Sequence, residues 1–188
     1  MDVKKEKNQM DLYYDRPAGI WEETLPIGNG KLGGMIWGGI QEELIGLNEE
    51  SLWSGYEREK NNPHAFDNLA KVRELVFQGK CYEAERLIQE TMLGEYNESY
   101  MPLGNLHLTY LNLFQASFSA EEKVQHYERR LHLEEAVVTE DFVVEEVRYH
   151  REMFASYPGK AIVVKLTASQ PVLDLEVYLE SFLKYAFI

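Results

Sequence analysis

Acidic side chains are the most abundant chemical resource in this sequence. Thirty-two Asp and Glu stand against nineteen Lys and Arg. Many of the acids come as adjacent pairs: Glu22-Glu23, Glu42-Glu43, Glu49-Glu50, Glu121-Glu122, Glu134-Glu135 and Glu145-Glu146. Two carboxyl groups flanking a glycosidic bond are the machinery of sugar hydrolysis. Neighbouring residues on a strand point to opposite faces, so a Glu-Glu dipeptide cannot form that machinery by itself. The sequence reads these pairs as solvated surface charge. Glu49 stands apart because it lies beside Asn48 and near Trp53.

Other chemistries find little support. His64, His107, His126, His132 and His150 show no metal-ligand spacing, so no metal is expected. His107 and His150 read as ordinary polar residues on strand faces. Gly28-Asn29-Gly30-Lys31-Leu32-Gly33 spells a dinucleotide fingerprint. That fingerprint needs a strand before it and a helix opening within it. Pro26 interrupts a preceding strand, and the glycines at 33, 34, 38 and 39 weaken a following helix. No cofactor is expected. Cys81 is the single cysteine, which excludes an intrachain disulfide, and it reads as a small buried hydrophobe in a helix.

The elements that position these residues are organised around Leu25–Gly55. This stretch holds most of the glycines and two of the three tryptophans. Lys31–Trp37 and Glu43–Leu47 read as two strands with a turn near Gly38-Gly39. Asn29 stands at the start of the stretch, with Asn48, Glu49 and Trp53 at its end. Trp37 and Trp53 read as packing residues, with sugar stacking as the alternative.

The remaining chain divides into three parts. Residues 1–11 are polar and read as a frayed terminus, and Leu12-Tyr13-Tyr14 as a short strand. From Pro63, Phe66, Leu69, Val72 and Val76 recur at helical spacing up to Gly79. Ala84, Leu87, Ile88 and Met92 form a second such face before Gly94. This predicts an αα-hairpin at about 63–93, inserted between strands. From Pro102 the period becomes two. Leu106, Leu108 and Tyr110 share a face, as do Val143, Val147, Tyr149 and Met153, and Leu173, Leu175, Val177 and Leu179. Turns are expected at Thr139-Glu140-Asp141, Pro158-Gly159 and Ser169-Gln170-Pro171. The fold class is mainly β: an antiparallel β-sandwich over 12–188 with the helical insertion. The chain closes on Ser181–Ile188, apolar and without a turn signal. The sandwich therefore reads as truncated, with an exposed edge that favours self-association.

The net charge of −13 disfavours nucleic acid and anionic membranes as partners and is indifferent to a neutral sugar. No signal peptide or transmembrane run is evident, so the sequence as written reads as cytoplasmic. Removal of an export signal would leave the same picture.

Several motifs, in order, resemble one family. They are LPIGNGKLGGMIWGG, LNEESLWSG, Asn61-Asn62-Pro63, VRELVFQGKCYEAERL, YMPLGNLHLTY, YERRLHLEEAVV and YHREMFASYPGKAIVVKLTA. Together they are similar to the N-terminal region of the bacterial glycoside hydrolase family 95, α-L-fucosidases acting on α-1,2-linked fucose. The resemblance implies a supersandwich-like N-terminal domain of a longer enzyme that hydrolyses terminal fucose with inversion. In that family the catalytic acid and the residues that activate water belong to a downstream (α/α)6 barrel. No catalytic residue is therefore expected in this chain, which would be inactive alone. Its expected partners are the missing barrel and, in the full-length enzyme, a fucosylated glycan. Asn29, Asn48, Glu49 and Trp53 are the candidates for the substrate rim or the interdomain surface. The alternatives are a stand-alone carbohydrate-binding module or a structural interaction module.

Overall fold

The computed structural model describes residues 10–113 and 124–183. The chain forms two compact units: residues 1–52 with 101–188, and residues 53–100.

The first unit is a sandwich of two antiparallel sheets. Its strands are β1 (Asp11–Tyr14), β2 (Leu25–Gly28), β3 (Leu32–Ile36), β4 (Glu42–Glu49) and β5 (Gly104–Tyr110). They continue as β6 (Val124–His132), β7 (Val137–Val144), β8 (Val147–Ser156), β9 (Ala161–Ala168) and β10 (Leu175–Glu180). One sheet has the order β1-β6-β7-β8-β9, and the other β10-β5-β4-β3-β2. Alternation drives the assembly: β7 reads half-buried and buried residues in strict turn, with Val138, Glu140, Phe142 and Val144 inward. Leu25, Ile27, Ile36 and Ile45 from one sheet meet Leu131, Val138 and Met153 from the other. Tyr110, Phe142, Val144, Val147 and Tyr149 form a second apolar cluster.

The second unit contains α1 (Ala65–Phe77) and α2 (Cys81–Thr91). Gly79, at φ +75°, ends α1. There the Gly79 N–H bonds the Val76 carbonyl and the Lys80 N–H bonds that of Leu75, a left-handed helix stop. The predicted hairpin is present, but its buried stripe differs. Val72 and Ala84 are buried, whereas Phe66 and Val76 are exposed, as is Cys81. A 48-residue unit offers too little interior to bury every apolar side chain of its helices.

Several expectations change. Thr139-Glu140-Asp141 is the middle of β7, not a turn. The chain reverses instead at residues 133–136 and at Glu145-Glu146, between β7 and β8. Glu145 and Glu146 take φ +49° and +69°, the two-residue primed turn in which Asn-Gly is usual, so composition concealed it. Val143 consequently sits on a different strand and face from Val147, Tyr149 and Met153. Pro26 does not interrupt β2, because β2 is an edge strand and tolerates a residue without an N–H. β3 follows where the dinucleotide motif would need a helix. Asp11 already pairs with His132 in β1, and residues 1–9 lie outside the described residues. Leu173 precedes β10, and Val177 and Leu179 are exposed. Of the C-terminal tail, Tyr185, Phe187 and Ile188 lie outside the described residues.

Candidate functional site

Three of the four predicted site residues gather at one end of β2–β4. Asn29 occupies the β2–β3 turn, where its side-chain oxygen accepts the N–H groups of Lys31 (3.0 Å) and Leu32 (2.8 Å). Its amide donates to the Ser156 carbonyl at 2.9 Å, the last residue of β8 in the other sheet. Asn29 is thus a tie between the sheets. Asn48 pairs with Gly33, and Glu49 with Leu32, so the two point to opposite faces. The Glu49 carboxylate accepts the Ser51 hydroxyl at 2.6 Å and the Ser51 N–H at 2.9 Å. The hydroxyl bond is the main reason its pKa falls below the ordinary value. A general acid needs the opposite shift. Trp53 belongs to the helical unit, where its ring meets Tyr100 edge-on at 5.2 Å.

Sequence reasoning missed the polar centre of the sandwich. Glu43, Arg129, Glu140 and Arg151 are each fully buried. Arg129, Glu140 and Arg151 lie side by side on β6, β7 and β8, and Glu43 reaches in from β4. Arg151 Nη1 donates to Glu43 Oε2 (2.6 Å), Glu140 Oε2 (2.9 Å) and the Gly39 carbonyl (2.6 Å). Its Nη2 donates to the Ile40 carbonyl at 2.8 Å. Glu43 Oε1 accepts the N–H groups of Trp37 (3.2 Å) and Gly38 (3.0 Å). Arg129 donates to the carbonyls of Arg16 (2.8 Å) and Glu23 (2.7 Å), and its guanidinium stacks over Tyr14 at 4.1 Å.

The electrostatics follow from burial. Desolvation, reinforced by the nearby Glu140 charge, pushes the Glu43 carboxyl well above its ordinary pKa. Desolvation opposes the Arg151 charge, but Glu140 and Glu43 outweigh it and raise that pKa. Burial raises the Tyr127 phenol too; its hydroxyl donates to the Gly38 carbonyl at 2.6 Å. A carboxyl pair with one raised pKa suggests acid–base work. Here both carboxylates share one guanidinium nitrogen and neither has solvent access, so no glycosidic bond fits between them. The cluster fastens one sheet to the β3–β4 connection of the other.

The signal for these residues was available in the sequence. Glu43 has the same strand parity as Ile45, Glu140 as Val138 and Phe142, and Arg151 as Tyr149 and Met153. His107 and His150 are strand-face residues, as expected. His107 faces Glu42 at 2.6 Å and Glu180 at 3.3 Å, and His150 faces Asp141 at 2.9 Å. Among the described residues, no group of three or more His, Cys, Asp or Glu could hold a metal. An open cleft of about 400 Å³ lies where the pairing of β6 with β7 shifts register between Gln125 and Glu128, lined by residues including Tyr13, His126 and Arg148. None of the four predicted site residues lines it.

This arrangement defines a mainly-β sandwich domain whose buried charges serve architecture. Residues 12–186 match the family model described as glycosyl hydrolase family 65, N-terminal domain, and the chain belongs to that family. It is 33% identical over 171 residues to alpha-L-fucosidase 2 of Arabidopsis thaliana, a match covering 91% of this chain and 20% of that protein. It is 30% identical over 165 residues to the probable alpha-fucosidase A of Aspergillus niger, covering 84% and 19%. The probable alpha-fucosidase A of Aspergillus oryzae is 25% identical over 177 residues, covering 89% and 23%. The chain therefore spans about one fifth of the length of the curated relatives it matches. The fucosidase resemblance read from the motifs is consistent with these matches.

Proposed function

We propose that this chain is the non-catalytic N-terminal sandwich of an inverting α-L-fucosidase that removes terminal α-1,2-linked fucose. The observation that carries this reading is the family match over residues 12–186, with fucosidases among the relatives. The sealed Glu43–Glu140 pair supports it, because the sandwich's buried carboxylates cannot flank a substrate. Catalytic residues come from a helical barrel elsewhere in the polypeptide, and the sandwich supports that barrel. Asn48 and Glu49 lie at the end of the sheet where a neighbouring domain or the substrate rim would meet it.

An aryl α-L-fucoside assay tests the proposal. The 188-residue chain is expected to show no turnover. Turnover that survives rigorous purification and is lost in Glu49→Gln overturns it. The Trp53–Tyr100 pair, 52% and 44% exposed, favours a second reading in which the chain binds glycan by itself. Calorimetric titration with a fucosylated oligosaccharide separates the two. Heat that Trp53→Ala abolishes supports the binding module.

A further inference from the structure

One tyrosine of the sandwich carries a hydroxyl that the fold does not use. Tyr149 is 5% exposed and belongs to the second apolar cluster. Its ring stacks on Phe142 at 5.2 Å and meets Tyr110 edge-on at 5.6 Å. Its neighbours spend their hydroxyls: Tyr110 accepts Arg151 Nε at 3.3 Å, and Tyr127 donates to the Gly38 carbonyl at 2.6 Å. The Tyr149 hydroxyl has no hydrogen-bond partner among the described residues. Nor is it sealed, since it is not one of the solvent-excluded polar atoms left unpaired in the interior. A phenol so deeply placed normally finds a partner. Burial raises its pKa, with Tyr110 and Glu145 adding to the shift, so it stays protonated and can donate.

Tyr149 lines another cleft, of about 470 Å³, at one end of the sandwich. Small-molecule sites are typically of that size, about 300–1,000 Å³. The β7–β8 turn forms one wall, and the chain just after β5 and just before β10 forms the other. The floor is apolar: Leu113, Val144 and Val147 are buried, and Val172 packs on the same cluster. The second wall is tied in place. The Asn112 amide donates to Asp174 Oδ2 at 2.8 Å, and the Leu111 N–H bonds the Asp174 carbonyl at 2.9 Å. Asn48 and Glu49 stand at the opposite end of the sheet. Leu47 pairs with Gly104, the first residue of β5, whereas the cleft opens beyond its last, Tyr110.

We propose that this cleft binds one neutral sugar residue, with the apolar ring face on the floor of Val144, Val147 and Val172 and a ring hydroxyl bonded to the Tyr149 phenol. Of the described residues lining it, only Glu145 and Asp174 are charged, and both are acidic, so an anion meets repulsion. Both belong to exposed residues. The floor offers only a neutral phenol, so an ammonium group there is desolvated without a counter-charge. A wholly apolar ligand leaves the hydroxyl unpaired. A sugar ring combines C–H faces with hydroxyls, and Gln170 adds an amide beside the cleft. The inference rests on this cleft alone, not on the fucosidase reading and not on Trp53.

NMR titration of the 188-residue chain tests it. The probes are the methyl glycosides of fucose, galactose and glucose, with N-acetylneuraminic acid as the anion and choline as the cation. At least one neutral glycoside should shift the methyl signals of Val144, Val147 and Val172, with a Kd on the order of 1 mM. Tyr149→Phe should weaken that binding at least about fivefold. The same variant should move the melting temperature by no more than about 2 °C, because the fold gives the hydroxyl no partner. Silence of these methyls toward every neutral glycoside at about 50 mM overturns the proposal. So does a response to choline or N-acetylneuraminic acid in place of the neutral glycosides, and so does unchanged affinity in Tyr149→Phe. Shifts confined to Trp53 and Tyr100 also overturn it, and they leave glycan binding by the helical unit standing.

Discussion

Arg151 on β8 and Glu43 on β4 belong to opposite sheets, yet their side chains meet at 2.6 Å with neither exposed to solvent. Removing one partner leaves a buried charge uncompensated, which costs about 3–5 kcal/mol. Arg151→Met should destabilise the sandwich by that amount in urea titration. It also strands the Gly39 and Ile40 carbonyls that Arg151 holds. Combining it with Glu43→Leu and Glu140→Leu should recover part of the loss, because no unpaired carboxylate remains. A triple variant as unstable as the sum of the single variants would show that packing, not charge balance, sets the cost.

Glu43 should also leave a signature in the pH dependence of stability. Its folded-state pKa lies above the ordinary 4.5, so the folded chain keeps a proton that the unfolded chain releases. Stability from this group is present below 4.5 and is lost as pH rises toward the folded value. Glu23, Glu49 and Glu98 shift downward, and they lose stability in the other direction, as pH falls below 4.5. In Glu43→Gln the decline above 4.5 should disappear while the acid limb remains. Parallel pH–stability curves for the two proteins would exclude a protonated Glu43.

Gly38 and Gly30 separate backbone strain from crowding. Both have positive φ, +76° and +83°. A Cβ on Gly30 meets nothing within 4 Å, so Gly30→Ala should cost about 1–2 kcal/mol from conformation alone. A Cβ on Gly38 would run into the Tyr127 hydroxyl and the Arg129 side chain. Gly38→Ala should therefore cost about 1–3 kcal/mol more, measured by denaturant titration. Equal losses would mean that the polar centre yields easily.

The sheets were legible where alternation is apolar against polar. Leu106, Leu108 and Tyr110 announced β5, and the helical spacing before Gly79 announced the hairpin. The polar centre was hidden because Glu43, Arg129, Glu140 and Arg151 occupy inward positions with charged side chains. A reading based on residue type sends such groups to the surface, and only strand parity brings them inside. The same bias turned Glu140 into a turn residue. The turn at Glu145-Glu146 was hidden for a different reason, because glutamate gives no hint of a positive φ. Of the proposed rim, Asn29 spends its side-chain bonds within the fold, on the β2–β3 turn and on Ser156 of the other sheet.

β4 and β5 are neighbours in one sheet, although the whole helical unit lies between them in sequence. The Met101 N–H bonds the Leu52 carbonyl at 2.9 Å, so the chain leaves the sandwich and re-enters it at a single point. Topologically, residues 53–100 are the loop of a β-hairpin. The entropy of closing a loop grows only logarithmically, by about 0.6 kcal/mol for each doubling of length. The helical unit is therefore a cassette: it can lengthen, shrink or be exchanged among descendants of this sandwich while the register of β4 on β5 stays fixed.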